Sequence, residues 1–86
     1  MQKYRVYIVK CRDNTLYTGI AINPVDRVAM HNSGKGAKYT RGRGPVLLLN
    51  STGPMCHRDA LRMERRVKKL PRDKKVLAIF MWKYTY

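Results

Sequence analysis

Tyr4-Arg5-Val6-Tyr7-Ile8-Val9 and Leu16-Tyr17-Thr18-Gly19-Ile20 decide the fold. Both runs are rich in β-branched and aromatic residues, and Asp13-Asn14 between them is a turn signal. The segment therefore reads as a β-hairpin, with strands over residues 4–11 and 15–21. The turn length decides where the two tyrosines point. A two-residue turn at Asp13-Asn14 pairs Lys10 with Tyr17 and puts Tyr7 and Tyr17 on opposite faces. A three-residue loop, or one bulge, pairs Cys11 with Tyr17 and brings both phenols to one face. A shared site needs the second arrangement, so an odd loop or a bulge is expected.

Beyond the hairpin, Asn23-Pro24 is a helix start, because Asn caps and Pro suits the first helical position. The helix runs to about Asn32 with Val25, Val28 and Ala29 as its apolar side, while Arg27 and His31, four apart, share another face. Ser33 to Pro45 is a loop with four glycines and Lys35, Lys38, Arg41 and Arg43. Val46 to Asn50 is a continuous apolar run and reads as a third, well-buried strand. Cys56, Ala60, Met63, Val67 and Leu70 form an amphipathic stripe of helical period, interrupted by Pro71. Residues 72–82 read as a third helix with a basic first turn. No repeat or linker divides the chain. The expectation is one α+β domain over residues 1–86: a small antiparallel three-stranded sheet, hairpin plus third strand, flanked by about three helices.

At 86 residues the chain has room for one modest core. Aliphatic and aromatic residues make up 44%, which marks it as globular rather than disordered. Nineteen Lys and Arg against five Asp and Glu give a net charge of +14, which repels itself unless a polyanion screens it. Nucleic acid is the leading partner, an anionic membrane surface the second. A basic structural protein explains the charge equally well. Cys11 and Cys56 have no CxxC pairing and read as reduced residues of a cytoplasmic protein. No signal peptide is expected, because the sequence enters a strand at once, and Val76 to Trp82 is far shorter than the roughly 20 residues that cross a bilayer. Cys56-His57 with Cys11 and His31 matches no structural zinc spacing.

The tyrosine-bearing strand pair resembles the GIY-YIG nuclease domain. Its first triplet corresponds to Arg5-Val6-Tyr7 and its second to Tyr17-Thr18-Gly19. The family arginine, ten residues after the second tyrosine, corresponds to Arg27, and a His or Tyr four residues later to His31. The metal-binding glutamate on a later helix corresponds to Glu64, the only glutamate in the chain. His31-Asn32-Ser33-Gly34-Lys35-Gly36-Ala37-Lys38-Tyr39-Thr40-Arg41 also looks like the small single-domain branch of this superfamily. Arg5 replaces the first glycine of the motif and Thr18 its second isoleucine. Many members carry an Asn after the glutamate helix, and no Asn follows Asn50 here.

The resemblance implies a metal-dependent endonuclease that hydrolyses DNA phosphodiesters with Mg²⁺ or Mn²⁺. The DNA is of unspecified structure, branched and single-stranded forms included, and RNA is a further candidate. In that scheme Tyr7 is the general base, and its cationic surroundings would lower the phenol from its usual pKa near ~10. Tyr17 orients the attacking water, Arg27 grips the scissile phosphate, His31 contacts the phosphate or assists proton transfer, and Glu64 holds the metal. One carboxylate suits a single hard cation and does not suit a two-metal site. Asp13, Asp26, Asp59 and Asp73 read as turn or helix-start residues. Lys35, Lys38, Arg41 and Arg43 beside the loop glycines, with Arg62 and Lys68 on the second helix, read as a phosphate track. The alternative function is a non-cleaving nucleic-acid-binding module of the same fold.

Overall fold

The computed structural model describes residues 2–36, 40 and 42–82. Its sheet is three-stranded and antiparallel in the order β2-β1-β3, from β1 (Arg5–Lys10), β2 (Leu16–Ala21) and β3 (Leu47–Ser51). Among the described residues the helices are α1 (Pro24–Asn32), α2 (His57–Lys68) and α3 (Arg72–Phe80). This is the α+β arrangement that the strand and helix patterns imply.

The hairpin turns through three residues. Cys11 N–H donates to Thr15 C=O at 2.8 Å, and Asn14 N–H donates to Cys11 C=O at 2.9 Å. Asn14 takes φ 69°, the left-handed conformation that closes such a loop and that Asn tolerates better than most side chains. Asp13 Oδ1 accepts from both the backbone N–H and the hydroxyl of Thr15, stiffening the tip. The odd loop is therefore present, with one correction: Tyr17 pairs with Val9 rather than with Cys11. Closure by Cys11 and Thr15 moves the register by two residues, which leaves the parity of the faces unchanged.

β1 is the central strand, and its alternating side chains feed two different cores. Val6 and Ile8 pack with Ala60, Met63 and Val67 of α2 and Ile79 of α3. Tyr7, Val9 and Cys11 lie on the opposite side with Ala21, Val46, Tyr17, Val28 and Leu48. Asn23 caps α1 through its side-chain oxygen, which accepts from Val25 and Asp26 N–H, and Pro24 sits in the first turn. In α2 the stripe holds at Ala60, Met63 and Val67, whereas Cys56 lies before the helix as its N-cap residue. Lys75 of α3 donates to the carbonyls of Val67 and Lys68, satisfying the end of α2.

Two expectations fail. β3 is an edge strand rather than a well-buried one: Leu47 is 60% exposed and Leu49 39%. Of its three leucines only Leu48 packs against a core cluster, because a strand at the margin has cover for alternate residues only. The apolar side expected for α1 holds only at Val28, which packs against the sheet: Val25 and Ala29 are exposed, and Pro24 and His31 are the buried residues. The helix faces a sheet surface that carries phenols, and there an imidazole finds partners that a valine cannot use.

Candidate active site

The site is built on the α1 side of the hairpin. Tyr7 and Tyr17 occupy the same face of β1 and β2, with ring centroids 6.4 Å apart. Tyr7 lies opposite Gly19, and a Cβ there would come within 2.7 Å of its hydroxyl and 3.1 Å of the Tyr17 ring. The glycine thus leaves the space into which the Tyr7 phenol reaches.

His31, at the end of α1, is 3% exposed and completes the cluster. Its ring lies 6.1 Å from that of Tyr7 and 5.4 Å from that of Tyr17. Nε2 is 2.9 Å from the Tyr7 hydroxyl, and Nδ1 is 2.8 Å from the hydroxyl of Thr40. A Cβ on Gly36 would collide with the His31 ring and backbone, so the glycine-rich loop folds directly over the imidazole. Arg27, one turn earlier on α1, is exposed. Its charge nevertheless reaches both Tyr7 and His31.

Electrostatics overturn one expectation. The Tyr7 phenol is pushed up from its usual value of 10.0, not down. Burial is the main cause; Tyr17 adds to it, Arg27 opposes it and Glu64 adds to it. The imidazole of His31 is held below its usual 6.5, by burial first and by Arg27 second. Burial thus disfavours both the phenolate of Tyr7 and the imidazolium of His31.

Glu64 lies on α2 with its side chain 16% exposed and Lys68 Nζ 3.4 Å from Oε2. Its charge is one of the influences that raise the Tyr7 phenol, the smallest of them. Among the described residues no group of three His, Cys, Asp or Glu could enclose a metal. A single carboxylate does fit a hard divalent cation that keeps most of its water and shares a phosphate oxygen. The four aspartates sit where turn and helix-start chemistry needs them: Asp13 in the hairpin tip, and Asp26, Asp59 and Asp73 in the first turns of α1, α2 and α3.

The expected phosphate track is partly occupied by internal contacts. Lys35 and Arg62 are exposed. Arg43 makes an ion pair with Asp13 at 3.0 Å, and Lys68 faces Glu64. Lys38 and Arg41 lie outside the described residues. Thr40 and Gly36 also lie at the cluster without a role read from the sequence, where Gly19 figures only as the last residue of the second triplet. Thr40 lies in a loop without periodicity.

Comparison with known proteins identifies the family. A family model described as the GIY-YIG catalytic domain matches residues 3–76. The chain belongs to the GIY-YIG family. It is 47% identical over 79 residues to a UPF0213 protein of Staphylococcus haemolyticus, covering 92% of this chain and 96% of that one. A UPF0213 protein of Halobacterium salinarum is 46% identical over 72 residues, covering 84% and 94%. Two solution NMR structures also match. A UPF0213 protein from Bacillus halodurans matches with TM-score 0.54 at 41% identity, covering 92% of this chain and 84% of that one. A protein from E. faecalis matches with TM-score 0.63 at 30% identity, covering 98% and 90%. GIY-YIG nucleases generally use divalent metal ions and act on nucleic acid. No helix among the described residues is long and apolar enough to cross a membrane.

Proposed function

We propose that the chain is one GIY-YIG endonuclease domain that hydrolyses DNA phosphodiester bonds with Mg²⁺ or Mn²⁺ bound at Glu64, in the cytoplasm. The observation that carries this is the 2.9 Å contact between the Tyr7 hydroxyl and His31 Nε2. A phenol that burial keeps protonated is a poor base by itself. A phenol that can hand its proton to an adjacent neutral imidazole is a usable one.

In this mechanism Tyr7 takes a proton from the attacking water while its own O–H proton passes to His31 Nε2. Tyr17, beside Tyr7 on the same face, orders that water. Arg27 binds the scissile phosphate through its planar guanidinium and offsets the charge that builds there. Phosphate binding also neutralises Arg27, one of the two influences holding His31 neutral, so substrate makes the imidazole a better proton acceptor. The divalent cation supplies positive charge at the phosphate when bound. As the water oxygen bonds to phosphorus the P–O3′ bond breaks, the 3′-oxygen leaves and takes a proton from solvent, and the protonated His31 gives its proton back to solvent. Lys35, Lys38, Arg41, Arg43, Arg62 and Lys68 contribute sequence-independent phosphate contacts, which the net charge of +14 supports.

The rival reading, a non-cleaving binding module, is favoured by the absence of any Asn after Asn50. Supercoiled, branched and single-stranded DNA incubated with protein, in Mg²⁺ or in chelator, separates the two. Metal-dependent nicking that falls at least about a hundredfold in Glu64→Ala supports the enzyme. Equal background nicking by wild type and Glu64→Ala, with DNA binding retained by both, leaves only the binding module.

A further inference from the structure

Thr40 is 1% exposed, in a loop that is otherwise rich in glycine and basic residues. A threonine so placed has no apolar stripe to belong to, and its hydroxyl lies 2.8 Å from His31 Nδ1. The direction of that hydrogen bond follows from the other end of the imidazole. Tyr7 is 1% exposed, and among the described residues the hydrogen-bond partner of its hydroxyl is His31 Nε2. A buried hydroxyl must donate somewhere. The Tyr7 O–H therefore donates to Nε2, which leaves the ring proton on Nδ1, and Nδ1–H donates to the Thr40 oxygen.

Thr40 is itself held from the hairpin tip. Arg43 N–H donates to the Thr40 carbonyl at 3.0 Å, and Arg12 N–H donates to the Arg43 carbonyl at 2.7 Å. The Arg43 guanidinium pairs with Asp13 at 3.0 Å. The tip joining the two tyrosine strands thus also anchors the residue behind His31, and Gly36 closes the loop on the imidazole from another side.

We propose that Thr40 is a positioning residue of the site: by accepting from His31 Nδ1–H it fixes the imidazole tautomer that leaves Nε2 open to the Tyr7 proton. This rests on the nuclease reading for its consequence in catalysis, but the tautomer itself does not. Without the threonine oxygen, the preference for a ring proton on Nδ1 is weakened. In the other tautomer Nε2–H would donate to the Tyr7 oxygen, and Nε2 could no longer take the Tyr7 proton. A wrong tautomer in an otherwise intact site is costly, since orientation by a third group is what makes a base–imidazole pair competent.

The test reads imidazole nitrogens by NMR in the ¹⁵N-labelled full chain above pH 7, where the only other histidine, His57, is removed by His57→Gln. Wild-type His31 should show a protonated Nδ1 and an unprotonated Nε2. Thr40→Ser should keep that signature and cleave DNA within about threefold of wild type. Thr40→Val should lose the signature and cleave about a hundredfold more slowly. A wild-type His31 protonated on Nε2, or a folded Thr40→Val with unchanged nitrogen shifts, overturns the proposal. If Thr40→Val does not fold, the wild-type signature and the Thr40→Ser result decide it. An inactive wild type would sink the nuclease reading, and the claim for Thr40 would then stand or fall on the nitrogen shifts.

Discussion

The two sides of β1 are both buried and have opposite chemistry. Toward α2 and α3 the strand presents Val6 and Ile8 to Ala60, Met63, Val67 and Ile79, hydrocarbon against hydrocarbon. Toward α1 it presents Tyr7 to His31, which leans in turn on Thr40. The first side stabilises by removing apolar surface from water, about 1.5–3 kcal/mol for each large side chain. The second side buries a phenol, an imidazole and hydroxyls, which is unfavourable unless each finds a partner. Each does: among the described residues no buried side-chain nitrogen or oxygen lacks one. The polar cluster holds only while every member stays partnered, a condition that the hydrocarbon side of the same strand does not carry.

The sharpest way to break this contrast is Tyr7→Phe. Cleavage should fall by about 10²–10⁴-fold, while the lost hydrogen bond costs about 1 kcal/mol of stability. Single-turnover nicking alongside thermal melting checks both, and wild-type cleavage by this variant would end the claim that the α1 side is the working one. The mirror experiment is Ile79→Ala on the other side, where the side chain is wholly buried. It should cost about 2–5 kcal/mol in a denaturant titration and leave cleavage per folded molecule unchanged.

A smaller effect sharpens the contrast through pH. The folded state holds His31 below 6.5, so it binds fewer protons than the unfolded chain once the pH drops below that value. The stability contribution is fully present above 6.5 and is lost as the pH falls from there toward the depressed folded value. The urea midpoint should therefore decline on acidification below 6.5, and His31→Gln should remove that part of the decline. A wild-type midpoint that rises on acidification would contradict a neutral, buried imidazole.

The hydrocarbon side was legible in the sequence because periodicity reports it. Ala60, Met63 and Val67 recur at helical spacing, and Asn23-Pro24 announces the start of α1 by local chemistry. The polar side was legible only in part. The shared face of Tyr7 and Tyr17 followed from strand alternation once the loop length was odd. The burial of His31 did not, because next to Arg27 on a basic helix an imidazole looks solvated, and its burial depends on hydroxyls from β1 and from the loop that follows α1. Thr40 carries no pattern at all. The direction of the Tyr7 shift was misjudged for the same reason: net charge is visible in composition, whereas burial is not, and burial prevails here. β3 was misread because a run of leucines cannot declare whether its strand is central or at the edge.

The three-residue tip of the hairpin constrains how this chain can vary. Residues Arg12 to Asn14 lie outside the cluster of Tyr7, Tyr17 and His31, and their number matters to it. What they do not accept is a change of count by one. A single insertion or deletion there would exchange inner and outer faces along the whole of β2 and carry the Tyr17 phenol to the α2 side, unless a bulge compensated. The separation between the two tyrosines is therefore inherited in steps of two residues, and a lineage that changed it by one would have to rebuild the strand to keep the site.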